Sequence, residues 1–114
     1  MEPTTKVSAT VKQNVGIIEL VGDVTSQAEE SITQSFEKLE KEGLKKFLLK
    51  FNEATYINSS GLAIIITLAA ETRKKRQKIG VSGLSNHFKK VFDMIGLTDY
   101  IDIYAGEADA LKKL

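Results

Sequence analysis

The chain has 114 residues, of which 42% are apolar and 27% charged, with one proline and no cysteine. This length favours a single domain, so residues 1–114 are treated as one domain. Sixteen basic and fifteen acidic side chains leave a net charge of +1, so bulk charge favours neither a nucleic-acid partner nor an anionic membrane. The lack of cysteine excludes disulfides, thiolate metal ligands and a cysteine nucleophile.

Hydropathy also argues against a membrane span. The longest apolar stretch runs from Leu62 to Ala70, is interrupted by Thr67, and falls well short of the ~20 residues that a spanning helix needs. The first residues are polar and lack the basic and then apolar pattern of a signal peptide. The sequence therefore predicts a cytoplasmic protein without a membrane span.

The first predicted elements are two strands and a helix. Lys6–Lys12 alternates apolar and polar residues, and Val15–Val21 is rich in β-branched residues, which together indicate a hairpin. After a loop over residues 22–25, Ser26 and Glu29 have the spacing of a capping box at a helix start. Gly43 is a suitable end for that helix.

Strands and helices then alternate. Phe47–Phe51 is typical of a buried strand, residues 52–60 form a loop, Gly61–Gln77 is predicted to be helical, and Ile79–Ser82 is a short strand. Ser85 begins a third helix, and Gly96 ends it. Its expected apolar stripe comprises Phe88, Val91, Phe92 and Ile95.

The last two elements are a strand over Tyr100–Tyr104 and a short helix over Glu107–Leu114. The apolar residues expected on one face of that helix are Ala108, Leu111 and Leu114. The whole order is ββαβαβαβα. This order predicts an α/β domain with a mixed, mainly parallel sheet of about five strands and four covering helices.

A polar segment, Asn58-Ser59-Ser60-Gly61, lies between a buried strand and an apolar helix. The first backbone N–H groups of a helix have no partner within it, and the helix dipole makes this end weakly positive. A phosphate group on a serine here would meet donors and a favourable field. The simpler interpretation is a serine that caps the helix, worth about 1 kcal/mol, and these features alone favour that cap.

Three segments give a more specific indication. Residues 56–62 (YINSSGL) resemble the signature loop of STAS domains, the family of anti-sigma factor antagonists. Residues 20–23 (LVGD) resemble the end of that family's second strand, and residues 91–97 (VFDMIGL) resemble the end of its third helix. The order of elements is also similar, so the resemblance extends over about residues 5–114.

The resemblance implies a regulatory protein that is not an enzyme and has neither a cofactor nor a metal. Ser59 corresponds to the serine that is phosphorylated by a partner acting as both anti-sigma factor and serine protein kinase. The unphosphorylated form binds that partner and releases the sigma factor, phosphorylation abolishes the binding, and a serine phosphatase restores it. The implied partner-binding switch loop comprises Asp23, Thr25, Asn58, Ser60, Gly61 and Leu62.

Two positions depart from the family pattern. Asn58 and Thr25 each stand where the family commonly has aspartate, so two carboxylates are missing. One interpretation is natural variation, because both side chains still supply loop hydrogen bonds. A second is a loop that holds phosphoserine with less like-charge repulsion, and a third is a loop that is not phosphorylated.

The remaining features favour ordinary roles. The basic run over residues 73–76 suits a solvated helix end, and His87 suits the surface. The apolar Leu62–Ala70 segment packs on the sheet, or its outer side binds the partner. We expect a monomer. Two other functions stay open: a STAS scaffold or regulatory subunit of a stressosome, transporter or lipid-trafficking complex, and a small nucleotide-binding or hydrolytic protein.

Overall fold

The computed structural model describes residues 5–114, which form strands and helices in the order expected from the sequence. Two short 3₁₀ turns, at Ser26–Ala28 and Leu97–Asp99, accompany them. The strands and α-helices are β1 Thr5–Lys12, β2 Val15–Gly22, α1 Glu29–Lys41, β3 Lys46–Lys50, α2 Ser59–Lys74, β4 Lys78–Ser82, α3 Asn86–Met94, β5 Asp102–Tyr104 and α4 Glu107–Lys113.

The strands form one sheet in the order β1-β2-β3-β4-β5. β1 and β2 pair antiparallel, whereas β2, β3, β4 and β5 pair parallel to one another. Gln13 and Asn14 connect the hairpin with φ angles of +52° and +64°. A left-handed backbone conformation at both central residues of a two-residue turn matches the twist of the two strands, which explains why the hairpin turn is so tight. The expected α/β class with a mixed, mainly parallel sheet is confirmed.

The two faces of the sheet are covered unequally. Side chains alternate along a strand, so Phe47 and Leu49 point to one face and Leu48 to the other. On the first face they join the main core, which α1, α2 and α3 complete. On the second face Leu48 packs with Val15, Ile17, Tyr104 and, from α4, Ala110.

Ion pairs also hold α4 against the sheet. Glu107 in the first turn of α4 lies 3.0 Å from the Nζ of Lys12 and 3.3 Å from the Nζ of Lys50. Lys50 also lies 3.5 Å from Glu19. The hydrogen bond from Lys12, followed by that from Lys50, lowers the pKa of Glu107 below its usual range, although partial desolvation opposes this effect.

The expected capping box at the start of α1 is wrong. The side chain of Thr25 accepts a hydrogen bond from the N–H of Gln27 at 3.3 Å, so Thr25 caps a 3₁₀ turn. This turn occupies Ser26, and α1 therefore begins only at Glu29, with Ala28 at its N-cap and no capping side chain. Ser26 and Glu29 do not have the roles that their spacing suggested.

Other local expectations need smaller corrections. The second long helix spans Ser59–Lys74 instead of residues 61–77, because Asn58 caps it and Arg76 adopts a left-handed φ of +57° beyond its end. β5 contains only residues 102–104, because the N–H groups of Tyr100 and Ile101 donate to the carbonyl of Leu97 instead of pairing in the sheet. In the apolar stripe of α3, Ile95 is exposed, and in α4 the buried residue is Ala110 while Ala108 faces solvent.

Candidate functional site

Two loops that are distant in the sequence meet beside the start of α2. Val24 forms an isolated parallel bridge with Ile57. The N–H of Val24 donates to the carbonyl of Tyr56 at 2.8 Å, and the N–H of Asn58 donates to the carbonyl of Val24 at 3.2 Å. The segment after β2 and the segment before α2 therefore lie side by side, and they contain residues that the sequence resemblance assigns to a switch loop.

Gly61 makes this meeting possible. A Cβ atom at this position would lie 2.2 Å from the carbonyl oxygen of Val24 and 3.0 Å from the side chain of Ile57. Only a residue without a side chain allows the first turn of α2 to approach the Val24 backbone so closely. Gly61 thus sets the distance between the two loops.

Asn58, not a serine, is the N-cap of α2. Its side-chain oxygen accepts a hydrogen bond from the N–H of Gly61 at 2.8 Å. Ser59 and Ser60 are therefore the first two residues of the helix, and both are exposed. Within residues 5–114 neither serine hydroxyl has a hydrogen-bond partner, so neither is committed to capping. The simple interpretation of a serine cap is wrong, because Asn58 fulfils that role.

The remaining predicted loop residues occupy different environments. Asp23 is exposed, and its backbone carbonyl accepts a hydrogen bond from the hydroxyl of Thr5. Thr25 is half-buried and holds the 3₁₀ turn. Leu62 is half-buried and packs against the main core, so at least part of its side chain is structural. Ser60 differs from Ser59 because it lines a groove.

That groove lies between the N-terminal halves of α1 and α2. It has a volume of 310 Å³, and both polar and aliphatic side chains line it. Sequence reasoning missed the groove because it depends on how the two helices pack side by side. The lining residues are Ser26, Glu29, Thr33, Ser60, Ala63, Ile64, Thr67 and Leu68.

The apolar middle of α2 has a buried side and an exposed side. Ile64, Ile65 and Leu68 are buried in the core, as expected for a helix packed on the sheet. Ile66, on the outer side, is exposed. Hydropathy alone could not divide these residues between the two sides.

No group of three or more His, Asp or Glu side chains within residues 5–114 is placed to hold a metal ion. The ring of His87 is exposed and lies edge-on to Phe88, with ring centroids 4.9 Å apart. No helix in the described part of the chain is long and apolar enough to cross a membrane.

The fold and the loop geometry agree with a family assignment. The sequence model of the STAS domain family matches residues 6–110, so the chain belongs to this family. The resemblance seen in the three sequence segments is thereby confirmed.

Particular relatives are regulators of sigma factors by name. The chain is 24% identical to the anti-sigma-B factor antagonist of Listeria monocytogenes over 85 residues, which is 74% of each chain. It superposes on the crystal structure of an anti-sigma factor antagonist from Mycobacterium paratuberculosis with a TM-score of 0.76 and 17% identity, covering 95% of this chain and 92% of that one. The phosphorylated form of the Bacillus cell fate determinant SpoIIAA gives a TM-score of 0.67 at 20% identity, covering 96% and 97%.

Proposed function

We propose that this chain is an anti-sigma factor antagonist that works as a phosphorylation-controlled binding switch in the cytoplasm. In the unphosphorylated form it binds an anti-sigma factor that is also a serine kinase, and the sigma factor is released. Phosphorylation of Ser59 abolishes this binding, and a serine phosphatase restores it. The chain itself performs no catalysis and requires no cofactor.

The observation that carries the proposal is the position of Ser59. Its hydroxyl is exposed on the first residue of α2, and Asn58 supplies the cap in its place. A kinase can therefore reach this hydroxyl without breaking a structural hydrogen bond. The curated relative named anti-sigma-B factor antagonist and the phosphorylated SpoIIAA neighbour support this assignment.

A phosphate at Ser59 is compatible with the fold. It adds a charge of about −1.5 to −2 at neutral pH. The N–H of Gly61 already donates a hydrogen bond to the side chain of Asn58. Other N–H groups of the first helical turn have no partner within the helix. These donors and the helix dipole stabilise the anion, so phosphorylation changes the surface and leaves the domain folded.

The same charge opposes partner binding. The proposed contact surface comprises Ser59 together with Asp23, Thr25, Asn58, Ser60, Gly61 and Leu62. A dianion in its middle imposes desolvation and like-charge costs on a partner that fits the neutral hydroxyl. A coupling of about 3 kcal/mol weakens binding more than a hundredfold, which is enough to operate a switch.

The experiment is affinity capture from the native cells with four immobilised baits: the wild type and the Ser59→Ala, Ser59→Asp and Ser60→Ala variants. We expect the wild type, Ser59→Ala and Ser60→Ala to retain a protein with a kinase-like ATP-binding domain, and Ser59→Asp to lose most of it. The purified partner with ATP should then phosphorylate the wild type and Ser60→Ala at Ser59, as located by mass spectrometry, and leave Ser59→Ala unmodified.

Other results would reject the proposal. Phosphate on Ser60 alone, or equal capture by Ser59→Asp and the wild type, would remove Ser59 from the switch. Capture of transporter or stressosome subunits in place of a kinase would favour the scaffold function. Nucleotide turnover by the purified chain alone would favour the hydrolytic function.

The absence of the two common aspartates leads to a separate test. We propose that neutral Asn58 and Thr25 lower the repulsion felt by phosphoserine in this loop. Asn58→Asp keeps the cap oxygen but adds a carboxylate beside Ser59. Its rates of phosphorylation and dephosphorylation should differ from the wild type, and unchanged rates would reject this interpretation.

A further inference from the structure

Large apolar side chains are exposed together on one side of the molecule, where α2 meets the end of α3. The exposed fractions are 46% for Ile66, 48% for Ile95 and 49% for Tyr100, and all three side chains line the same cleft. Exposed apolar side chains that gather in one place, unlike scattered ones, mark interaction sites. Tyrosine and arginine are among the side chains enriched at protein–protein interfaces.

The centre of this surface is an apolar cleft. Ile66 and Ala70 line it from α2, and the segment after α3 supplies Ile95, Leu97 and Tyr100. Its volume of 200 Å³ is smaller than the ~300 to 1,000 Å³ of typical small-molecule pockets. The cleft therefore suits one or two aliphatic side chains projecting from another protein.

A cation marks one rim of the cleft. The guanidinium carbon of Arg73 lies 4.6 Å from the centroid of the Tyr100 ring. Across the described range 5–114 this guanidinium has no carboxylate oxygen within 4.0 Å. A guanidinium stacked on an aromatic ring is held in place while its N–H edge stays available for a carboxylate. The complementary ligand is therefore acidic beside its apolar anchor.

The cleft is continuous with the proposed switch. Ser59, Ala63, Ile66, Ala70 and Arg73 follow the spacing of four and three residues that places side chains on one helix face. At 1.5 Å per residue, Ile66 is about 10 Å and Arg73 about 21 Å from Ser59 along the helix axis. One interface of standard size, roughly 800 Å² on each partner, spans this distance.

We infer that the cleft binds an amphipathic helix of a protein partner, with aliphatic side chains in the cleft and a carboxylate on Arg73. The identity of that partner as the anti-sigma factor rests on the proposed function, whereas the chemistry of the helix rests on the cleft alone. The cleft contributes affinity that phosphorylation does not remove, and Ser59 supplies the part that responds to phosphate.

Two synthetic helical peptides test the inference without the partner. Both carry leucines at positions i and i+4, followed by glutamates in one peptide and lysines in the other at positions i+7 and i+8. Each is titrated into the ¹⁵N-labelled full chain. We expect the glutamate peptide to bind about tenfold more tightly and to shift the amide signals of Ile66, Ala70 and Leu97.

Matched variants separate the contributions. Ile66→Lys should weaken binding at least tenfold, whereas Val11→Lys, at a 49% exposed apolar residue on β1, should leave binding unchanged. Arg73→Glu should reverse the preference in favour of the lysine peptide. Ser59→Asp should bind the short peptide like the wild type, so loss of the switch and loss of the cleft are distinguishable. Circular dichroism verifies that each variant is folded.

Three outcomes would overturn the inference. The first is equal binding of the two peptides, and the second is a set of shifted signals outside the cleft. The third is a doubling of mass in sedimentation experiments that Ile66→Lys abolishes, because a second copy of the chain would then cover the cleft.

Discussion

Replacing Gly61 with alanine tests whether the contact between the two loops builds the site. The new Cβ atom would lie 2.2 Å from the carbonyl oxygen of Val24, whereas carbon and oxygen atoms in contact normally lie more than 3 Å apart. The start of α2 must therefore move by about 1 Å. This shift lengthens the hydrogen bonds from Val24 to Tyr56 and from Asn58 to Val24, now 2.8 and 3.2 Å.

The expected loss of stability follows from these terms. Overpacking of a tight contact costs about 1–3 kcal/mol, and each weakened hydrogen bond costs about 1 kcal/mol. The higher helix propensity of alanine offsets less than about 1 kcal/mol of this loss. Gly61→Ala should therefore lower the free energy of unfolding by about 3 kcal/mol, which corresponds to a fall in Tm of roughly 10 °C for a domain of this size.

Urea denaturation followed by circular dichroism measures this loss, and hydrogen exchange at the Val24 and Asn58 amides locates it. Gly106→Ala is the matched control, because no atom lies within 4 Å of the Cβ that it would add. It should change the free energy of unfolding by less than about 1 kcal/mol. If Gly61→Ala costs less than about 0.5 kcal/mol, the close approach is not a constraint and the reasoning fails.

Two further predictions concern the cap and the ion pairs. Asn58→Ala should lower the free energy of unfolding by about 1 kcal/mol, because the Gly61 N–H loses its acceptor. Asn58→Asp keeps an acceptor oxygen and should retain the stability of the wild type. Equal losses for the two variants in urea denaturation would contradict the role of Asn58 as the cap. Glu107→Gln should be less stable than the wild type at pH 7. Since pairing lowers the pKa of Glu107 from 4.5, that advantage is present above pH 4.5 and is lost as the pH falls through the folded-state pKa, so the two proteins should converge in acid. A difference that persists after protonation would exclude the Lys12 and Lys50 pairs as its source.

Much of the fold was accessible from the sequence. The alternating run located β1 and the β-branched run located β2, and Gly43 and Gly96, with φ angles of +88° and +81°, do end their helices. The family resemblance identified the loops that meet. The capping errors at Ser26 and in the Ser59-Ser60 pair share a cause, since several neighbouring polar residues can each serve as a cap.

The sequence by itself determined which segments are strands and helices and in what order, because hydrophobic periodicity and turn residues act over short distances. It also pointed to Ser59 as the candidate switch. Only the tertiary structure decided which side chains remain accessible and which loops touch. Val24 meets Ile57, and Arg73 meets Tyr100, because β2, β3, β4 and β5 lie side by side in the sheet and α1, α2 and α3 pack on the same face of it. Such contacts depend on the packing of distant segments, which no local pattern encodes.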